Sequence, residues 1–252
     1  MTDTATDTTT RTAALTFEGV DKRFGDVHVL DDVSTSIAPG EFVSVIGPSG
    51  CGKSTLLRLA SGLDTANGGR VECHADEVGY VFQEATLMPW RSVRRNVDLM
   101  LELRGESKRK RRDRVDAALE LVGLDDFADS LPHQLSGGMR MRVSLARSLV
   151  LEPELFLFDE PFGALDQITR MRLNLELLSL FESRRFAGLF ITHSVDEAVF
   201  LSTRVLVMSA RPGRLVAEVP IEFGYPRHQE LRYTPEFGAI SGHIADALES
   251  AS

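Results

Sequence analysis

The eight residues Gly47-Pro48-Ser49-Gly50-Cys51-Gly52-Lys53-Ser54 carry the most specific chemistry in this chain. They match G-x-x-x-x-G-K-[ST] at every fixed position. Small residues let successive backbone N–H groups curl around a phosphate. An apolar run, Phe42 to Ile46, precedes the loop and reads as a buried parallel strand. Ser54 to Ala60 reads as a helix whose positive end points at the bound anion. Lys53 supplies a point charge to the β- and γ-phosphates, and the Ser54 hydroxyl is a hard oxygen ligand for Mg²⁺. Thr55 completes this nucleotide-binding set. Cys51 holds a variable position of the loop as a small filler. The loop predicts binding of Mg-ATP.

A second group lies about a hundred residues on. Leu155-Phe156-Leu157-Phe158-Asp159-Glu160 reads as a buried strand ending in two carboxylates. Side chains alternate along a strand, so adjacent acids diverge and can take different tasks. Asp159 can hold the Mg²⁺ shell. Glu160 can then orient or deprotonate an attacking water. Between the two groups, Leu135-Ser136-Gly137-Gly138-Met139 precedes a helix expected from about Arg140. It reads either as an ordinary N-cap or as a further set of N–H donors for an anion.

The elements that must position these residues follow from periodicity. Strands are expected at Ala14–Val20, Val33–Ile37, Val78–Phe82, Leu155–Phe158 and Leu189–Thr192, with a hairpin turn at Asn67-Gly68-Gly69. From about Met88 to Val150 the period changes to 3.6. Val115, Ala118, Leu119 and Val122 share a face, and Gly123 stands where a C-terminal cap would. Ser194-Val195-Asp196-Glu197 reads as a capping box. Val205–Met208 and Leu215–Val219 form a hairpin around Arg211-Pro212-Gly213, and a short helix is expected near Ile240–Leu248. Alternating strands and helices predict an α/β fold with an antiparallel part near the N-terminus. The expected division is a disordered tail at 1–13, one domain at 14–222 with a helical insertion at about 88–146, and an extension at 223–252.

Composition narrows the partners. The chain has 252 residues and a net charge of −9, which argues against a nucleic-acid binder. Lys108-Arg109-Lys110-Arg111-Arg112 reads as a solvated helix face rather than a nucleic-acid or lipid site, given Asp113 and Asp116 nearby. Two cysteines make no disulfide framework. No run of ~18 apolar residues is long enough to span a membrane.

Taken together, the motifs strongly resemble the ATP-binding cassettes of ABC transporters, from about Leu15 to Glu222. Leu135 to Met139 is similar to the family signature, usually Leu-Ser-Gly-Gly-Gln. Gln83 resembles the Q-loop glutamine, Ala164-Leu165-Asp166 the D-loop, and His193, after Phe190-Ile191-Thr192, the switch histidine. Phe24 sits where the family stacks an aromatic residue on adenine, although plain core is an equal reading for it. A lone histidine at a strand end, as His193 would be without the other motifs, is more often structural than catalytic. The resemblance implies a P-loop NTPase fold with a mainly parallel sheet, an N-terminal antiparallel β-subdomain and an inserted helical subdomain.

It also implies a head-to-tail dimer with a second copy of the chain. Ser136, Gly137 and Gly138 of one copy would complete the site built on Lys53 of the other, with Asp166 at the contact. Gln83 would sense Mg²⁺ and water, and His193 would hold the γ-phosphate. Met139 departs from the usual glutamine and puts one polar contact in doubt. Phe24 departs from the commoner tyrosine, keeping stacking but no hydroxyl.

Gln83-Glu84-Ala85-Thr86-Leu87-Met88-Pro89-Trp90 and Met208 to Arg214 resemble the nitrate/sulfonate/taurine branch of importer ATPases. This implies an ATPase peripheral to the cytoplasmic face of the cell membrane, working with separate permeases and, indirectly, a solute-binding protein. Glu84, Met88, Pro89 and Trp90 are either the permease-docking surface or packing inside the helical part. Importers of thiamine-precursor pyrimidines belong to the same branch and stay open. Soluble cassettes for DNA repair insert long coiled coils, and those for translation carry two cassettes. This chain has neither. Retention of Lys53, Asp159, Glu160 and His193 argues against a subunit without turnover.

Overall fold

A computed structural model describes residues 13–251. The expected tail at 1–13 lies outside them apart from Ala13. The chain begins β1 (Leu15–Phe24), β2 (Val27–Ile37), β3 (Phe42–Ile46), α1 (Lys53–Ala60), β4 (Gly68–Cys73) and β5 (Val78–Val81). Three helices follow: α2 (Val93–Leu103), α3 (Lys108–Leu121) and α4 (Gly137–Leu149). Then come β6 (Leu155–Asp159), α5 (Gln167–Arg184), β7 (Ala187–Ile191), α6 (Val195–Leu201), β8 (Arg204–Met208), β9 (Leu215–Pro220) and α7 (Pro235–Ser250).

Two sheets result. β2-β1-β4 is antiparallel, while β5-β6-β7-β3-β8-β9 is parallel except for the β8–β9 hairpin. Alternation along β3 and β6 joins them. Phe42, Ile46, Phe156 and Phe158 face a core shared with α5 and α6, where Phe181, Phe186 and Phe190 complete an aromatic cluster. Val43, Val45, Leu155 and Leu157 face the other way, against α1 and the three-stranded sheet. Each such side chain contributes roughly 1.5–3 kcal/mol on burial, and so the strand ends that follow are held on a rigid base.

Several elements differ from expectation. β1 runs on through polar Asp21, Lys22 and Arg23, and β2 starts earlier, at Val27, because antiparallel pairing from Leu15↔Ile37 to Phe24↔Val27 satisfies their backbone. Asn67-Gly68-Gly69 does not turn a hairpin; it enters β4, which pairs with β1. Gly69 is there for close approach, since a Cβ would come 2.1 Å from the Gly19 carbonyl oxygen. Thr234 caps α7, which starts at Pro235, five residues earlier than expected. Its buried face is thin, only Phe237 and Ile244, and so the period was faint.

The three helices after β5 pack on one another through the expected face: Val115, Ala118, Leu119 and Val122 are all buried, with Val97 and Leu101 opposite. Gly123 ends α3 at φ 62°. In the charge run, Lys108, Arg109, Lys110 and Arg112 are exposed, with Arg112 paired to Asp116, whereas Arg111 turns inward to pair with Asp98.

Candidate functional site

Three neighbouring strands, β6, β7 and β3, deliver their C-terminal ends to one rim, the usual ligand position in a parallel α/β sheet. β3 runs straight into the loop 47–52, and α1 starts at Lys53. Gly52 caps the helix at φ 108°, and a Cβ there would meet Leu30 Cδ2 at 2.6 Å. The loop is thus wedged against β2. Lys53 is buried, and its ammonium donates to the carbonyls of Gly47 at 2.8 Å and Pro48 at 3.0 Å. Cys51 Sγ lies 4.0 Å from that ammonium, and burial pushes its thiol up, away from thiolate.

β6 brings the acids to the same rim. Ser54 Oγ donates to Asp159 Oδ1 at 2.9 Å, so the phosphate loop and the strand end are in contact. Burial pushes the Asp159 carboxyl up, and the charge of Glu160 adds to this, while the Ser54 hydrogen bond opposes it. Tyr80 of β5 lies against Asp159, and burial, helped by the Asp159 charge, pushes its phenol further up. Two hard oxygens from Ser54 and Asp159, beside a lysine ammonium, form a donor set that fits Mg²⁺.

Glu160 does diverge from Asp159. Its backbone adopts φ 44°, a left-handed conformation costing about 1–3 kcal/mol for a non-glycine residue. That twist turns its side chain toward β7, where Glu160 Oε2 lies 3.5 Å from His193 Nδ1. The His193 ring is 55% exposed and opens onto the rim. A carboxylate and an imidazole held this close can share a proton or orient one water.

The remaining expected residues fall into two places. Asp166 caps α5 by accepting the Thr169 N–H at 3.0 Å, and that bond lowers its pKa. Ser136 caps α4 and accepts from Met139 N–H at 3.2 Å, so the helix begins at Gly137 rather than at the expected Arg140. Gly137 and Gly138 face Leu165 and Thr169. The serine-glycine motif therefore joins the start of α5 within its own chain, and its contacts are not with residues 47–54. Gln83 is exposed just past β5, and Phe82 beside it stacks on Tyr80 at 4.1 Å. Phe24 is 48% exposed at the tip of the β1–β2 hairpin, with the Lys22 ammonium 4.6 Å from its ring centroid, so it is not core.

Sequence reasoning missed several supports. Arg211 donates to the Gly50 carbonyl at 2.8 Å, and Gly213 packs so tightly on Cys51 that a Cβ would sit 2.1 Å from its carbonyl oxygen. The β8–β9 turn thus props the phosphate loop from behind. Arg147 of α4 donates to the carbonyls of Ala85 and Thr86, tying the segment after Gln83 to the serine-glycine helix. Asn96, fully buried, donates to the carbonyls of Met88, Arg91 and Ser92 and accepts from Met88 N–H. That stitching presents Trp90 at 74% exposure. The only available signal for Asn96 was a polar residue in an apolar helical face.

Similarity to known proteins agrees with this geometry. The ABC transporter family profile matches residues 30–163. The taurine import ATP-binding protein TauB of Rhizobium johnstonii is 48% identical over 242 residues, covering 90% of this chain and 92% of its own. The aliphatic sulfonates import ATP-binding protein SsuB of Bacillus subtilis is 41% identical over 228 residues, covering 88% and 87%. Among solved structures, the dimeric ATP-binding cassette MJ0796, in a post-hydrolysis state with ADP and Pi, has a TM-score of 0.73 and 30% identity, covering 83% of this chain and all of its own. The cbiO1 protein of Clostridium perfringens, described as part of an ABC transporter complex, has a TM-score of 0.78 and 25% identity over 93% of this chain. The chain belongs to the ABC transporter family, and its work within that family is to bind and hydrolyse ATP.

Proposed function

We propose that this chain is the ATP-hydrolysing subunit of an importer for a small anionic solute of the sulfonate, taurine or nitrate type. The observation that supports the solute class is the high identity to TauB and SsuB over nearly the whole chain. The chain would sit on the cytoplasmic face of the membrane, bound to separate permease subunits and served by a solute-binding protein. No helix among the described residues is long and apolar enough to cross a membrane. The exposed Trp90, on the turn stitched by Asn96, suits a docking contact with the permease.

The chemistry assigned to the chain's own residues follows from the rim. Backbone N–H groups of residues 47–52 and the Lys53 ammonium cradle the phosphates. Ser54 and Asp159 would hold Mg²⁺, which when bound neutralises charge on the β- and γ-phosphate oxygens. Glu160 accepts the proton of the attacking water, and His193, 3.5 Å away, holds the γ-phosphate side of the site. Gln83 monitors the occupied site from the end of β5. Phe24 stacks on adenine.

Ser136, Gly137 and Gly138 would act in trans. Their own contacts face α5 rather than the phosphate loop, so a second copy, packed head to tail, would bring them to the partner's nucleotide, with Asp166 at the seam. ATP closes such a dimer and hydrolysis reopens it, a ligand-driven change able to move a permease.

The test is reconstitution with the permease and binding protein in vesicles, measuring ATP-dependent uptake of taurine, an alkanesulfonate and nitrate. Uptake of at least one supports the reading. Uptake of a thiamine-precursor pyrimidine alone would change the solute class. Failure to recover any permease with the chain would remove the importer role.

A further inference from the structure

Glu197, the last residue of the expected capping box, is 4% exposed. Ser194 does cap α6, accepting Glu197 N–H at 3.3 Å, but the Glu197 side chain turns inward. Its Oε2 accepts from Thr192 Oγ1 at 2.5 Å, and Thr192 Oγ1 in turn accepts the Ser194 N–H at 3.0 Å. The turn that displays His193 is therefore closed from inside. Burial pushes the Glu197 carboxyl up, against the pull of the Thr192 hydroxyl and the Arg170 charge.

The other oxygen, Oε1, looks toward α5. Arg170 Nε lies 3.8 Å from it, beyond hydrogen-bond reach, and buried Asn174 of the same helix also faces the Glu197 carboxylate. Arg170 also reaches the opposite way. One of its terminal nitrogens donates to the carbonyls of Gly163 at 3.3 Å and Leu165 at 3.1 Å. Those carbonyls belong to the turn that starts at Glu160 and ends at Asp166, and Gly163 N–H donates to the Glu160 carbonyl at 3.1 Å. Gly163 also lies beside the Glu160–His193 pair, since a Cβ on it would make ordinary contact with His193 Cε1 at 3.5 Å and Glu160 Oε2 at 3.8 Å. A guanidinium can address two carbonyls and a carboxylate at once, whereas an ammonium on a flexible stem cannot hold that fork.

A buried ion pair is weak evidence for stability, because desolvation offsets its attraction. Its placement suggests another use. We infer that Arg170 and Glu197 are positioning residues: as one strut they fix the turn carrying Glu160 and Asp166 against the turn carrying His193. The inference rests on the roles proposed above for Glu160 and His193 and deepens them. The strained backbone of Glu160 and its 3.5 Å approach to His193 persist because both turns are anchored to the same pair of side chains. Small displacements at such a site are costly to turnover.

The test is single-turnover and steady-state ATPase of the full chain carrying Arg170→Met with Glu197→Gln, a replacement that leaves no uncompensated buried charge. Arg170→Lys is measured beside it and supplies the same readout should the double variant not fold. Each is also built on His193→Ala. Turnover should fall roughly tenfold or more with KM for ATP within about twofold. On the His193→Ala background the same change should cost less than about twofold, because the positioned group is already gone. Turnover within about twofold of the parent overturns the inference, as does an equal fall on both backgrounds. If His193→Ala and Glu160→Gln themselves leave turnover intact, the proposed roles of those residues fail, and the strut has nothing to position.

Discussion

Gly213→Ala isolates the prop behind the phosphate loop. A Cβ at 213 would lie 2.1 Å from the Cys51 carbonyl oxygen and 2.7 Å from Met208 Cε. An ordinary contact needs about 3.5 Å, so turn and loop must part by more than about 1 Å. That motion strains two backbone bonds, Gly213 N–H to Val29 at 2.9 Å and Asp31 N–H to Gly213 at 3.1 Å, together with the Arg211 bonds to Gly50. At about 1 kcal/mol each, losing two or three costs roughly 2–3 kcal/mol. For a chain of this size the melting temperature should then drop by roughly 5–12 °C. Since the displaced carbonyl belongs to the loop itself, ATP affinity should fall about tenfold or more as well. Scanning calorimetry and nucleotide titration measure both. Gly224→Ala, where a Cβ would meet nothing within 4 Å, is the control. A Gly213→Ala protein that melts and binds ATP like the parent would show that this turn does not shape the phosphate loop.

Other outcomes follow from the same geometry. Glu160→Gln should keep ATP affinity and lose turnover by about 10²-fold or more, read by single-turnover hydrolysis; near-parental rates would contradict its role as base. Mixing Ser136→Arg chains with Lys53→Ala chains should restore activity that neither has alone, because one composite site per mixed dimer stays intact; no recovery in demonstrated mixed dimers counts against action in trans. Trp90→Ala should leave the melting temperature within about 2 °C, since the side chain is 74% exposed, yet reduce recovery of the permease on co-purification. Undiminished recovery would move the docking contact elsewhere.

Legibility in the sequence tracked how local each signal was. Phe42–Ile46 was readable to the residue, because a run that is apolar but for Ser44 ends at a glycine whose backbone the loop needs. Phosphate loop and acidic pair stood out for the same reason: each is contiguous. β1 and β2 were cut short because their polar stretches are held by pairing between strands, which no window of one strand reveals. Gly69 misled for a related reason, being small for a cross-strand approach rather than for a turn. Arg170, Glu197, Arg211 and Asn96 were invisible as supports. Each is an ordinary polar residue until the fold gives it a partner outside its own helix or strand, as the exposed Arg211 meets the Gly50 carbonyl. Ser194 to Glu197 shows the limit most plainly, since its cap formed while the acid found a buried partner instead.

The central claim is that residues 47–54 wrap the terminal phosphates of ATP while Ser54 and Asp159 clamp the accompanying ion. Calorimetric titration of ATP into the parent and Asp159→Asn proteins, with Mg²⁺ and with chelator, addresses it directly. The parent should bind one ATP per chain, about tenfold or more tighter with Mg²⁺, and the variant should lose that gain. Correctly folded parent protein that takes up no nucleotide in the presence of Mg²⁺ would contradict the account.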